Sequence, residues 1–194
     1  IYILPTPQSI MALLTWIIIG AIALIVLIAL YYFNRFVVLE NRIKNSSAQI
    51  DVQLKKRADL VPSLVKVVKS FAKHEKSIME SVTKARAEML KPGNIQEKVK
   101  AGDQLQNALK SIFAIAENYP DLKSNQNFLH LQKELSAIED KVAYARQYYN
   151  DSILELENTS QQFPGVFFFK LYGRKAKDYL KITETERAMP SIDL

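Results

Sequence analysis

His74 and His130 are the two histidines of the chain, and His74-Glu75 reads like the opening of a zinc-protease helix. That chemistry needs a second imidazole one turn on, so that two ligands face one metal. Position 78 is Ile78, and the pair stays incomplete. The sequence holds no cysteine, which removes thiolate ligands, thiol nucleophiles and disulfides. Gly20, Gly93, Gly102, Gly165 and Gly173 lie too far apart for a phosphate-cradling loop. Carboxylates are plentiful: Glu139 with Asp140, Glu155 with Glu157, Asp121 near Glu117. Helical neighbours one or two residues apart point to different faces. These acids therefore read as solvated charges, not as an acid–base pair held in a cleft. No catalytic, cofactor-binding or metal-binding residue is assigned, and no enzymatic activity is expected.

Other polar residues invite a different use. The stretches Asn45 to Glu75 and Ala114 to Asp151 carry Gln49, Asp51, Gln53, Arg57, Asp59, Asn118, Asp121, Asn127, Gln132, Glu134, Arg146 and Asn150. A plain helix requires none of these in particular. One reading makes them caps and inter-helix hydrogen bonds. The other makes them a partner-docking face, with Arg57, Asp59 and Arg146 as its candidate residues. Further on, Phe167, Phe168 and Phe169 form a second candidate contact within Val166 to Gly173. That block is too short to span a membrane. It is expected to cover the open end of a helical bundle, to dip into a bilayer surface, or to contact another subunit. Arg174, Lys175 and Lys177 follow it.

The elements that position these residues begin with Ile10 to Phe33, IMALLTWIIIGAIALIVLIALYYF. It has no charge, and its one strongly polar group, the Thr15 hydroxyl, can bond back to its own helix. As a helix it reaches about 36 Å, enough to cross a hydrocarbon core of about 30 Å. Trp16 and Tyr31-Tyr32 sit where interfacial aromatics belong. No Lys or Arg precedes the segment, whereas Arg35, Arg42 and Lys44 follow it against one Glu40. The positive-inside rule then puts the N-terminus outside and the larger part in the cytoplasm. A cleaved signal peptide fits poorly, because the apolar run is too long and lacks a basic flank before it. Residues 1–9, with Pro5 and Pro7, are upstream sequence or a short external arm.

No Gly or Pro falls between Tyr31 and Leu60, so the helix is expected to continue without a hinge. Apolar positions recur at Ile50, Leu54, Ala58, Val61, Leu64 or Val65, Val68, Phe71 or Ala72, Ile78, Val82, Ala85 and Met89. Pro62 predicts a kink, or a break with a restart near Asp59. Lys91-Pro92-Gly93 ends the helix, and Asn94 with Glu97 opens the next as a capping box. That one carries Leu105, Leu109, Ile112, Phe113 and Ala116 and ends at Tyr119-Pro120. A third opens at Ser124 or Asn125 and closes near Gln161-Gln162. Its apolar seam is Phe128, Leu131, Leu135, Ile138, Val142, Ala145, Tyr149, Ser152 with Ile153, and Leu156, in alternating steps of three and four. Thr183 to Leu194 reads as an extended tail. Roughly 160 residues beyond the span suit one domain. The net charge of +6 fits a protein beside an anionic membrane, and nucleic-acid binding is not expected because basic residues are not interleaved with stacking aromatics.

Several runs resemble the LemA family of bacterial membrane proteins: IDVQLKKRADLVPSLV, the AKHE after it, AENYPDLKSNQNF and ARQYYND. The ending Glu186-Arg187-Ala188-Met189-Pro190, with Ile192 and Leu194, resembles the family's usual close. The likeness extends from about Val38 to Leu194. It implies one N-terminal membrane helix and a cytoplasmic up-down bundle of about four helices, with no catalytic residues to carry over. Around Phe163 to Tyr179 the chain departs from the family's usual Gly-Phe pair.

The fold class expected is all-α: a transmembrane helix over 10–33 running into an antiparallel up-down bundle of about four long helices over 34–162. An apolar then basic segment over 163–182 and a tail over 183–194 follow. The expected role is a single-pass, non-enzymatic scaffold or adaptor at the bacterial inner membrane, partnered by lipid, by copies of itself and by another membrane protein. The alternative is an accessory subunit of a membrane enzyme such as a zinc metallopeptidase. No cofactor is expected.

Overall fold

The computed structural model describes residues 7–181. Residues 1–6 and the tail expected over 183–194 lie outside that range. Six helices occur among the described residues, and no strand. They are α1 (Pro7–Phe71), α2 (Lys76–Met89), α3 (Ile95–Ala116), α4 (Pro120–Lys123), α5 (Gln126–Gln161) and α6 (Gly165–Leu171). Contacts divide the chain into two compact units. Among the described residues one is built from 7–42 and 152–177, the other from 43–151 and 178–181. α1 and α5 contribute residues to both.

The larger unit is the bundle. Asn94 accepts from the Glu97 amide while the Glu97 carboxylate accepts from the Asn94 amide, the reciprocal cap that starts α3. The Asn125 side chain accepts from the amides of Asn127 and Phe128 and so opens α5. Arg86 of α2 reaches Ala58 of α1, and Lys98 of α3 pairs with Asp51. Arg146 of α5 meets Asp103, and Phe113 packs on Phe128. These pairings run up, down, up, down for α1, α2, α3 and α5, so the antiparallel bundle is present, with α4 as a one-turn connector. Every seam position expected on α5 is buried, from Phe128 through Ser152 and Ile153 to Leu156. Within the larger unit, Ile50, Leu54, Ala58, Val61, Leu64 and Val68 of α1 and Val99, Leu105, Leu109 and Ile112 of α3 are buried as well. On α2 the buried positions are Met79, Val82 and Met89. Ile78 is half-buried.

Two expectations about α1 meet different outcomes. The helix does continue from the apolar segment without a hinge. It also runs through Pro62 without the break that was one of the two outcomes expected there, and ends at Phe71, with a turn at Ala72–Glu75 before α2. Proline cannot donate to the carbonyl four residues back, which leaves the oxygen of the buried Ala58 without its helical donor. Arg86 Nε fills that role from α2, at 2.8 Å. Replacing Arg86 by Leu should cost about 1–3 kcal/mol, the penalty for a buried acceptor left unmade. In a Pro62→Ala background the restored amide can satisfy Ala58, so the same change should cost less than half as much. Denaturant titration of the four proteins of this cycle checks both numbers.

The smaller unit contains the apolar part of α1. From Met11 to Leu27 its large side chains face outward; Trp16 is 73% exposed and Leu27 64%. The Thr15 hydroxyl donates to the Met11 carbonyl at 2.9 Å, as its position suggested. Beyond this segment Phe36 and Leu39 are fully buried. Glu155, read from sequence as a solvated charge, accepts from both Arg35 and Arg42 (2.8 Å for the latter). It is drawn in because it borders the Ser152–Leu156 seam, within reach of the two arginines on α1.

Candidate functional site

Arg57 and Arg146 come together, and they do so inside the bundle. Arg57 is 2% exposed. Its Nη1 lies 3.4 Å from the carbonyl of Gly102, and its Nε has no hydrogen-bond partner. Burial pushes this guanidinium below its ordinary pKa, Glu139 and Asp103 pull it back up, and Arg146 opposes them. α3 comes this close because residue 102 is glycine: a Cβ there would stand 2.5 Å from Leu54 Cδ2. Arg146 binds Asp103 Oδ1 and the carbonyl of Lys181, each at 3.1 Å. Glu139 accepts from Gln106. With Asn107, Lys110 and Asp140 these groups line a cleft of about 290 Å³. Its fixed charges alternate in sign, so its chemistry is that of a cross-helix ion-pair network. Asp59 is elsewhere. It pairs with Lys55 on the surface at 3.5 Å, with its side chain 54% exposed.

Next to Arg146 on α5, Asn150 performs a task that its residue type could have signalled but its spacing could not. Its Nδ2 donates to the carbonyl of Leu180 at 3.1 Å, and its Oδ1 accepts from the Leu180 amide at 2.9 Å. An amide side chain thereby substitutes for a neighbouring strand. Leu180 is buried, so residues 178–181 are laid along α5 by one apolar anchor and this clamp. Asn150→Leu should release the segment. Trypsin cleavage at Lys177 and Lys181 should accelerate about tenfold or more, with about 1–3 kcal/mol lost from the bundle.

The open face of the bundle lies between α1 and α5. Ser46, Gln49, Gln53, Asp140, Lys141, Tyr144, Ala145 and Tyr148 line a groove of about 390 Å³. Tyr144 is 72% exposed and Tyr148 42%. They stand one turn apart on one wall. Both fell outside the α5 seam, and sequence reading did not single them out. Aromatics with a polar tip at an open groove suit macromolecular contact.

The three consecutive phenylalanines separate. In the smaller unit Phe168 stacks on Tyr32 at 5.5 Å and Phe169 packs edge-on against Phe36 at 5.3 Å. Phe167 is 64% exposed. His74 and His130 are both exposed. Among the described residues no group of three or more His, Cys, Asp or Glu is placed to hold a metal ion.

A family model described as the LemA family matches residues 46–194. The chain belongs to the LemA family. The match takes in the bundle and the clamped C-terminal segment, whereas the apolar part of α1 precedes it. Among curated relatives, the LemA-type chain is similar to the magnetosome protein MamQ of Magnetospirillum gryphiswaldense. The two are 23% identical over 173 residues, 76% of this chain and 64% of that protein. It is also similar to the magnetosome proteins MamQ 2 and MamQ 1 of Paramagnetospirillum magneticum, each 22% identical over 175 residues, with 77% and 64% covered. It thus spans just under two thirds of the length of these relatives. Family membership and one exposed segment long and apolar enough to cross a membrane make this a membrane-associated LemA protein.

Proposed function

We propose that this LemA protein is a non-enzymatic scaffold or adaptor, held in the bacterial inner membrane by 10–33 with its N-terminus outside. Its helical bundle lies in the cytoplasm, where it binds copies of itself and another membrane protein. The observation that carries this reading is the outward-facing apolar segment on α1, the helix that also walls the bundle core. Among the described residues the side chains from Met11 to Leu27 are left uncovered by the rest of the chain, and a lone span in lipid satisfies its backbone only as a helix. The groove at Tyr144 and Tyr148 offers the docking face. Arg57 and Arg146 serve it indirectly by fixing α1, α3 and α5, and Asp59, paired with Lys55, is exposed to take part at the surface. The likeness to magnetosome proteins is compatible with this role and names no partner for this chain.

A photo-crosslinking residue at Tyr144, in native membranes, tests it. Capture of a discrete membrane protein or of a second copy, lost when Tyr148 is changed to Ala, supports the reading. Capture unchanged by Tyr148→Ala, or none from Tyr144 while a probe at Lys110 gives adducts, removes the groove as the docking face.

A further inference from the structure

We propose that α6 and the residues flanking it form an interfacial membrane helix, with Phe163, Phe167 and Leu171 set into the boundary between acyl chains and headgroups. Lys170, Lys175 and Lys177 would meet anionic lipid. The proposal rests on the membrane reading of α1 and adds a second, separate lipid contact. Three observations carry it.

First, α6 has two unlike faces. Phe168, Phe169 and Tyr172 pack on Tyr32, Phe36 and Phe33 respectively. Phe163, Phe167 and Leu171 are 80%, 64% and 74% exposed. They recur every four residues, and the rings of Phe163 and Phe167 touch edge-on at 5.9 Å, so they make one apolar stripe.

Second, the depth is fixed. The Tyr172 hydroxyl donates to the carbonyl of Ala29 at 2.7 Å. Ala29 is four residues inside the end of the exposed apolar segment at Phe33, about 6 Å along a helix. This is the layer where amphipathic helices lie in the plane of a bilayer, and the phenol reaches it with its polar tip satisfied.

Third, the charge is of one sign. From Phe163 to Lys177 there is no acidic residue. Arg174 is spent on the protein itself, paired with Glu40 at 2.5 Å and stacked over Phe33 and Phe36. Lys170, Lys175 and Lys177 are exposed. A cationic edge beside an apolar stripe, continuous with a lipid-length segment, complements an anionic bilayer better than a second copy of the same cationic surface.

The absence of cysteine allows a clean test. Single-cysteine variants Phe167→Cys, Ile22→Cys and Tyr144→Cys of the full chain are labelled with an environment-sensitive dye and reconstituted into phosphatidylcholine–phosphatidylglycerol vesicles. The Phe167 probe should be quenched by a lipid nitroxide near the headgroup, and be about threefold or more better shielded from aqueous iodide than the Tyr144 probe. The shielding should weaken in phosphatidylcholine alone, while the Ile22 probe stays quenched by lipid. Three results overturn the proposal. An Ile22 probe quenched by lipid beside a Phe167 probe as open to iodide as that at Tyr144 leaves the anchor intact and removes the interfacial helix. A Phe167 probe shielded from iodide but untouched by lipid nitroxide assigns the stripe to a protein contact. If neither Ile22 nor Phe167 is quenched by lipid, the anchor falls as well.

Discussion

Gly165→Ala is expected to unseat α6. A Cβ at this position would stand 2.1 Å from the backbone oxygen of Thr159 and 3.1 Å from Tyr32 Cε1. The first neighbour is main chain in the last turns of α5, and it cannot swing aside as a side chain could. Relief requires opening the turn between α5 and α6, which pulls Phe168 from Tyr32 and Tyr172 from Ala29. Overpacking of this kind costs about 3 kcal/mol. Trypsin cleavage at Lys170 and Arg174 should become rapid in the variant, and the near-ultraviolet signal of the aromatic cluster should fall. Gly20→Ala is the control, because nothing lies within 4 Å of a Cβ there. It should leave both readouts unchanged.

The second large effect is expected at Arg146. Replacement by Ala removes one guanidinium from two partners at once, the Asp103 carboxylate and the Lys181 carbonyl. The Arg146 and Asp103 side chains are 11% and 26% exposed. Breaking a pair this far from water costs about 3 kcal/mol, because the surviving carboxylate keeps its desolvation and loses the guanidinium bonded to it. Arg146→Lys should recover less than half of that, since an ammonium cannot hold two acceptors in the fixed fork of a guanidinium. Combining Arg146→Ala with Asp103→Asn should be non-additive by about 1–3 kcal/mol. Asp59→Ala, on an exposed pair with Lys55, should cost under about 1 kcal/mol. Denaturant unfolding in mild detergent, followed by circular dichroism, ranks these variants directly.

The contrast between Arg146 and Asp59 shows what could be read in advance. The α5 seam was legible to the residue because burial there follows the helical repeat alone. The start of α3 was legible because Asn94 and Glu97 act on each other three residues apart. Local rules sufficed for both. The break offered as one alternative at Pro62 is absent for the complementary reason. Its local rule is correct, but the compensating donor, Arg86, comes from another helix. The turn at Ala72–Glu75 carries no Gly or Pro, and Ala72 and Met79 keep helical spacing across it, so periodicity could not mark it.

The candidate site divides along the same line. Residue type identified Arg57 and Arg146 as more than generic helix surface, and only packing revealed that they face inward. The paired role of Asn150 needed the position of Leu180, and the groove needed α1 and α5 side by side. Tyr144 and Tyr148 look like ordinary amphipathic residues until their exposure is known. Within Phe167–Phe169, three identical side chains in a row hold no information about which faces α1. The 100° step of a helix separates them, and the rings of Tyr32 and Phe36 take two.

The bond from Arg86 to Ala58 also sets an order of events at the ribosome. Arg86 is made 28 residues after Ala58. Until then water is the donor for that carbonyl, and the about two and a half turns of α1 beyond Pro62 lack the protein donor they have in the folded bundle. The membrane-proximal part of the helix can form as it emerges. Its far end is completed retroactively, when translation has supplied α2 and α2 has folded back on it.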